Sequence, residues 1–336
     1  MSHLDTIPAE VAAGGGSASG PPLLSPPVKG RFRTRNLGDI VFRNLTFLFA
    51  LVVFSLVFVM AYEMYLGSRE TIQKFGFSFL TRSVWDPVRD EFGALPFIYG
   101  TVLSSMIALV LAVPLSLGIA LFLSEMAPRW LERPLSFLVE LLAAIPSIVY
   151  GLWGIFVLVP WLRMQVEPVL SRSLGFLPFF RGAPYGFGML AAGLILTIMI
   201  LPIITSISRD VLKSIPDSYR EASLALGGTR WETAWIILTS GRSGILGAAL
   251  LGLGRAVGET MAVTMVIGNR ADISASLFDP GYSMASVLAN EFAEAIGSMH
   301  QSALIEIALL LFAVTVTLNA LARVIVWSVT RRFART

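Results

Sequence analysis

The chain has 336 residues, of which 55% are hydrophobic and only 14% charged, and its formal net charge is +3. Soluble domains carry roughly 25% charged residues; a soluble core protein could reach this balance, but its apolar runs would be shorter than those found here. The absence of cysteine excludes disulfides, thiolate chemistry and Cys-ligated metals. The small net charge gives no reason to expect nucleic acid.

Residues 1–40 read as a disordered cytoplasmic tail. Their GGGSASGPPLLSPP stretch cannot build a core, and no basic start or unbroken apolar run marks a signal peptide. The remainder, 41–330, reads as one transmembrane domain. Its apolar residues fall in blocks of about twenty or more, the length that crosses ~30 Å of hydrocarbon. Six spans are predicted, at about 44–66, 98–124, 135–161, 186–208, 243–267 and 303–327. Pro114, Pro146 and Pro202 fall inside them, which membrane helices tolerate when neighbours satisfy the freed carbonyls. Fifteen Lys and Arg residues lie in the terminal segments and even-numbered loops, and eight in the alternate loops. The excess of basic residues marks the cytoplasmic side. Both termini and the loop 209–242 are therefore expected to be cytoplasmic. The outer loop 67–97 alternates Ile72, Phe75, Phe77, Phe79, Leu80 and Trp85 with charges and reads as an interfacial amphipathic segment. His3 and His300 lie too far apart in sequence to suggest a shared metal site.

The loop before the fifth span carries the densest local signal. Ser218 with Glu221, and Thr229 with Glu232, each have the spacing of a capping box. Gly227 and Gly228 supply a left-handed stop between them. The expectation is a short helix around Tyr219 to Leu226, a Gly-Gly corner, and a second helix running into the fifth span. A two-turn helix is marginal in water on its own. Its Ala222, Ala225 and Leu226 need a surface, either a cytoplasmic partner or the chain's own bundle. No GxxxxGK[ST] phosphate loop occurs, so any ATP that drives the chain is bound elsewhere.

The fifth span places Arg255 and Glu259 four residues apart, on one face of a continuous helix. Each charge near a bilayer centre costs about 2.5–3.5 kcal/mol on insertion scales. Two rows of small residues, Gly244, Ala248, Gly252, Ala256 and Gly254, Gly258, Ala262, let this helix approach others closely. The functional reading is that they bind or steer a charged solute, or switch partners as a gate opens; the bland one is an intrahelical ion pair that offsets burial. Glu140 and Glu306 lie nearer span ends and read as satisfied structural carboxylates.

Glu221-Ala222-Ser223, then Gly227, then Ile237 resemble the coupling loop of ABC importer permeases. Ser223 stands where Ala is usual, and Thr239 and Ser240 where Leu-Pro is usual. The stretches DEFGALPFIYGT at 90–101, AAIPSIVYGLWGIF at 143–156, GLGRAVGETMAVTMVIGN at 252–269 and SVLANEFAEA at 286–295 are similar to the C-type permeases of phosphate-specific transport.

The resemblance implies an all-α integral membrane protein with six transmembrane helices and type I ABC importer permease architecture, in a bacterial inner membrane. It implies a non-catalytic subunit moving inorganic phosphate inward. Its expected partners are a second, A-type permease as heterodimer, two ATPase subunits that bind ATP and Mg, an extracytoplasmic phosphate-binding protein, and membrane lipid. Arg255 and Glu259 are then the expected translocation or gating residues. Ser218, Arg220, Glu221, Ala222, Ser223, Gly227, Gly228, Thr229 and Glu232 are the expected ATPase-coupling residues. Other readings are a permease for sulfate or molybdate, a lone secondary transporter or channel, and an added signalling role.

Overall fold

The computed structural model describes residues 37–333. The expected tail lies outside these residues except at its end, where Leu37 to Ile40 are already helical. By contacts the chain divides into two units, Met1–Phe54 and Ser55–Thr336. Among the described residues the structure is helical, with only two isolated bridges, Asp86 with Glu91 and Gly268 with Gly281.

Helix α1 (Leu37–Gly67) runs 31 residues and crosses between the two units. Its apolar window has 0% of its residues buried, as suits an all-apolar span facing lipid or a neighbour. Short α2 (Arg69–Phe75) follows. α3 (Leu95–Leu121) passes Pro114 without ending, and a looser turn carries the span to Met126. α4 (Arg129–Ala144) and α5 (Ser147–Leu174) come next, and α6 (Met189–Lys213) passes Pro202. α6 is the axis of the bundle: 67% of its apolar window is buried. α3 packs along it, and Ser116 Oγ of α3 donates to Leu201 O of α6 at 3.1 Å.

The expected third span, 135–161, is out of place. The helix breaks at Ile145, which is extended (φ −68°, ψ 129°) ahead of Pro146. Proline disfavours helical geometry in the residue before it and donates no amide hydrogen bond. α4 is therefore a separate amphipathic helix, and the third span is α5, 147–174. α5 contains two wide π-type turns, Gly154–Leu158 and Leu162–Val166, shortly before Pro160 and Pro168. Inserted turns of this kind relieve proline clashes inside a helix.

α7 (Ser218–Ala225), α8 (Arg230–Ser240), α9 (Arg242–Gly258) and α10 (Met261–Val266) follow α6. α8 and α9 meet at a 66° bend and are apolar enough to span only when counted together. α11 (Met284–Glu291) and the 36-residue α12 (Ser298–Phe333) complete the chain. Among the described residues, five helices qualify alone as spans, or six with the bent pair.

The outer loop is less interfacial than its alternation suggests. Phe79 and Phe92 are buried with Phe97, Tyr282, Leu304 and Ile307 in a second core, while Phe77 stays 90% exposed. Trp85 meets Phe92 and Phe97 edge-on, with ring centroids 4.8 Å apart in each pair. Its Nε1 donates to Glu291 Oε2 at 2.8 Å. Burial drives the Tyr282 hydroxyl up to about 12. Gly100 holds α3 against this core: a Cβ there would stand 2.1 Å from Tyr282 O.

Candidate functional site

The segment 214–241 forms the expected pair of short helices, with one change at its start. Ser218 is the first helical residue, and Asp217 occupies the cap position without a side-chain cap bond. The expected Ser218–Glu221 capping box is therefore absent. Arg220 does the anchoring instead. Its Nε and Nη2 bind Glu125 Oε2 and Oε1 at 3.0 and 2.8 Å. Its Nη1 donates to Asp217 Oδ1 at 3.0 Å and Ile215 O at 2.9 Å, and Nη2 to Leu212 O at 3.2 Å. One guanidinium thus ties α7 to the ends of α3 and α6. Planar, bidentate pairing is the geometry for which arginine is suited.

The corner is built as the glycines suggest. Gly227 adopts φ +83°, and the Gly228 amide donates to Ser223 O at 2.9 Å. Ser223 is buried, and its Oγ pairs with Thr233 Oγ1 at 2.9 Å, linking α7 to α8. That bond accounts for a hydroxyl where the resembled family has Ala. The second capping box is present: Glu232 N donates to Thr229 Oγ1 at 3.3 Å, and Thr229 N to Glu232 Oε2 at 2.7 Å. The Thr229 amide and hydroxyl hold the Glu232 carboxyl below its usual range. A depressed carboxylate stabilises the fold above its unfolded value and loses that contribution as pH falls through its folded value. Thr229→Ala is expected to cost about 1 kcal/mol, seen as a lower thermal midpoint at neutral pH. An unchanged midpoint would contradict the cap.

The outward side of this element is apolar and bare. Leu226 is 91% exposed and Trp231 63%. With Gly227, Gly228, Trp235 and Ile236 they line a depression of about 790 Å³. Glu221, Ala222 and Ala225 are exposed too, so this face of α7 is not spent on the chain's own bundle.

Behind it, salt links fix the bases of the spans. Arg209 pairs with Asp210 at 2.9 Å and with Glu140 at 3.2 Å, and Lys213 pairs with Glu132. Glu140 is satisfied, as expected. Glu306 is not: it is 7% exposed and its Oε2 has no partner.

The membrane charges are arranged differently from the expectation. α9 ends at Gly258, and Glu259 is extended (φ −72°, ψ 126°). Gly258 and Thr260 are both poor helix residues and flank that turn. Arg255 and Glu259 therefore do not share a helical face, and no ion pair joins them. Arg255 lies in the last turn of α9, where the helix dipole favours a cation. It is exposed, while Ala256 and Val257 beside it are buried.

The first small-residue row packs as expected. A Cβ on Gly244 would stand 2.6 Å from Val211, and one on Gly252 2.7 Å from Ile204, both of α6. The second row is cut by the break before Ala262. A Cβ on Gly254 would stand 3.7 Å from Asn319 Oδ1, and one on Gly258 would meet nothing within 4 Å. The open side of α9 thus carries Gly258 and Arg255.

Sequence reasoning missed Glu125, the partner of Arg220 from 95 positions away. Nothing local marks such a contact. The exposed Trp231 and Trp235 were available as a signal, since a half-polar helix with two tryptophans asks what covers them.

Comparison with known proteins gives these features a family. Residues 112–334 match the family described as binding-protein-dependent transport system inner membrane component. The phosphate transport system permease protein PstC of Haemophilus influenzae is 48% identical over 86% of this chain and 93% of that protein. The proteins of the same name from Pasteurella multocida and Mesorhizobium japonicum are 44% and 47% identical over 88% and 85% of this chain, covering 94% and 89% of their own lengths. The matched region begins within α3 and contains α4 through α12, the bent α8–α9 pair and Arg255 included. The chain belongs to the inner-membrane component family of binding-protein-dependent transport systems.

Proposed function

We propose that this chain is the permease subunit through which inorganic phosphate enters the cell, powered by ATP hydrolysed in partner subunits. The observation that carries this reading is Arg255, an exposed cation at the broken end of a membrane helix. A phosphate anion in a low-dielectric path needs a compensating charge, and a guanidinium offers two parallel donors. Close kinship to proteins named as phosphate permeases supports the choice of anion.

In this reading both termini and the α7–α8 element face the cytoplasm. An ATPase subunit covers Leu226 and Trp231, and its movement reaches Arg255 through the 66° bend and the length of α9. The nucleotide binds to the ATPase pair, and the chain itself breaks no bond. A second permease faces the Arg255–Gly258 end of α9, beyond Leu251, and a binding protein delivers phosphate from outside. Glu259, released from the helix next to Arg255, serves the gate rather than the anion, which it would repel. Energy enters as a population shift between inward- and outward-facing states.

Vesicles holding the complex should accumulate labelled phosphate only with ATP on the α7–α8 side. A hundredfold excess of sulfate or molybdate should leave that uptake unchanged. Strong competition by either would replace phosphate as the substrate.

A further inference from the structure

One groove takes no part in the path proposed above. It lies between α9 and α12, encloses about 480 Å³, and includes Gly247 and Leu251 on one wall and Asn319, Arg323, Val326 and Trp327 on the other. Gly247 leaves it open: the nearest atom to a Cβ there would be Val326 Cγ2, 3.9 Å away. Leu251 and Trp327 are 57% and 54% exposed.

Arg323 is placed at a particular depth. The polar stretch 298–302 opens α12, and from Ala303 a run begins that is apolar except at Glu306, Asn319 and two threonines. About twenty residues at 1.5 Å each cross the hydrocarbon, so the run ends near Ala322. Arg323 is then the first residue in the headgroup layer on the α7–α8 side, and Trp327, one turn on, lies where interfacial tryptophans collect. Arg323 is exposed, and among the described residues no carboxylate pairs with it. An apolar trough closed at headgroup depth by a guanidinium with no carboxylate partner among the described residues complements an amphiphile with an anionic head.

We propose that this groove binds an anionic phospholipid, with its phosphodiester on Arg323 and an acyl chain along Gly247 and Leu251. Basic pockets between spans bind acidic headgroups in this way. Arginine's forked donors suit the phosphodiester, and the neutralising cation of a zwitterionic headgroup would compete for it.

The test is native mass spectrometry of the delipidated complex, purified with its co-expressed partners. It is titrated separately with dioleoyl phosphatidylglycerol and dioleoyl phosphatidylcholine. The wild type should bind one phosphatidylglycerol about tenfold more tightly than phosphatidylcholine, and Arg323→Gln should remove that preference. Gly247→Leu keeps the charge but fills the trough, and should weaken the same lipid. Inorganic phosphate should not displace it. Equal lipid binding by wild type and both variants, or displacement by free phosphate, would overturn the proposal. So would loss of a partner subunit from Arg323→Gln without any change in lipid, since the groove would then be a protein interface. None of these readouts depends on which solute is transported.

Discussion

Arg255→Leu is expected to cut phosphate uptake by roughly a hundredfold or more, the scale of losing a desolvated charge partner. The complex should still assemble. Arg255 is exposed in the chain and contributes no ion pair to its fold, whereas the neighbouring Ala256 and Val257 do the packing. Removing the guanidinium therefore leaves the α9–α6 contact intact and takes away only the cation on the open side. Arg255→Lys keeps the charge but loses the fork, and should fall between the two. Wild-type uptake by the Leu variant would remove Arg255 from the path. Failure of the Leu variant to assemble, with the Lys variant intact, would make it an interface residue instead.

The second large effect is expected at Arg220. Its guanidinium and Glu125 are mostly enclosed, at 20% and 11% side-chain exposure. Removing one partner of such a pair costs about 3–5 kcal/mol when fully buried, and somewhat less here. Arg220→Ala should free α7 from the ends of α3 and α6 while leaving the α7–α8 corner closed through Ser223 and Thr233. ATP hydrolysis in the complex should then continue while uptake falls, because the element moves without moving the bundle. The double variant with Glu125→Ala should be little worse than either single one, since both remove the same link. Additive losses in a double-mutant cycle would show that Arg220 acts elsewhere, through Asp217 or the backbone carbonyls.

Much of this was readable in the sequence because it is local. Four of the six spans follow from unbroken apolar length, and the corner follows from Gly227, Gly228 and the Thr229–Glu232 box. Where the expectation failed, backbone chemistry competed with hydropathy. Pro146 ends α4 although the apolar run continues through it, so the third span starts later. Glu259 leaves the helix between Gly258 and Thr260 although the pattern is continuous, so two charges four apart never face one another. Ser218 is already helical and Asp217, at the cap position, makes no side-chain cap bond; Arg220 anchors that turn instead. Glu125 with Arg220, and Phe79 and Phe92 with Tyr282 and Leu304, depend on the fold bringing distant segments together, which no local spacing encodes.

The central claim is that motion at α7–α8 is carried along one bent helix pair to Arg255. The most direct test measures ATP hydrolysis and phosphate uptake together, in vesicles holding the complex with wild-type chain or with Arg255→Leu. The account predicts that the wild type couples the two, and that the variant hydrolyses ATP at a comparable rate while uptake drops to background. Uptake retained in step with hydrolysis in the variant would contradict it.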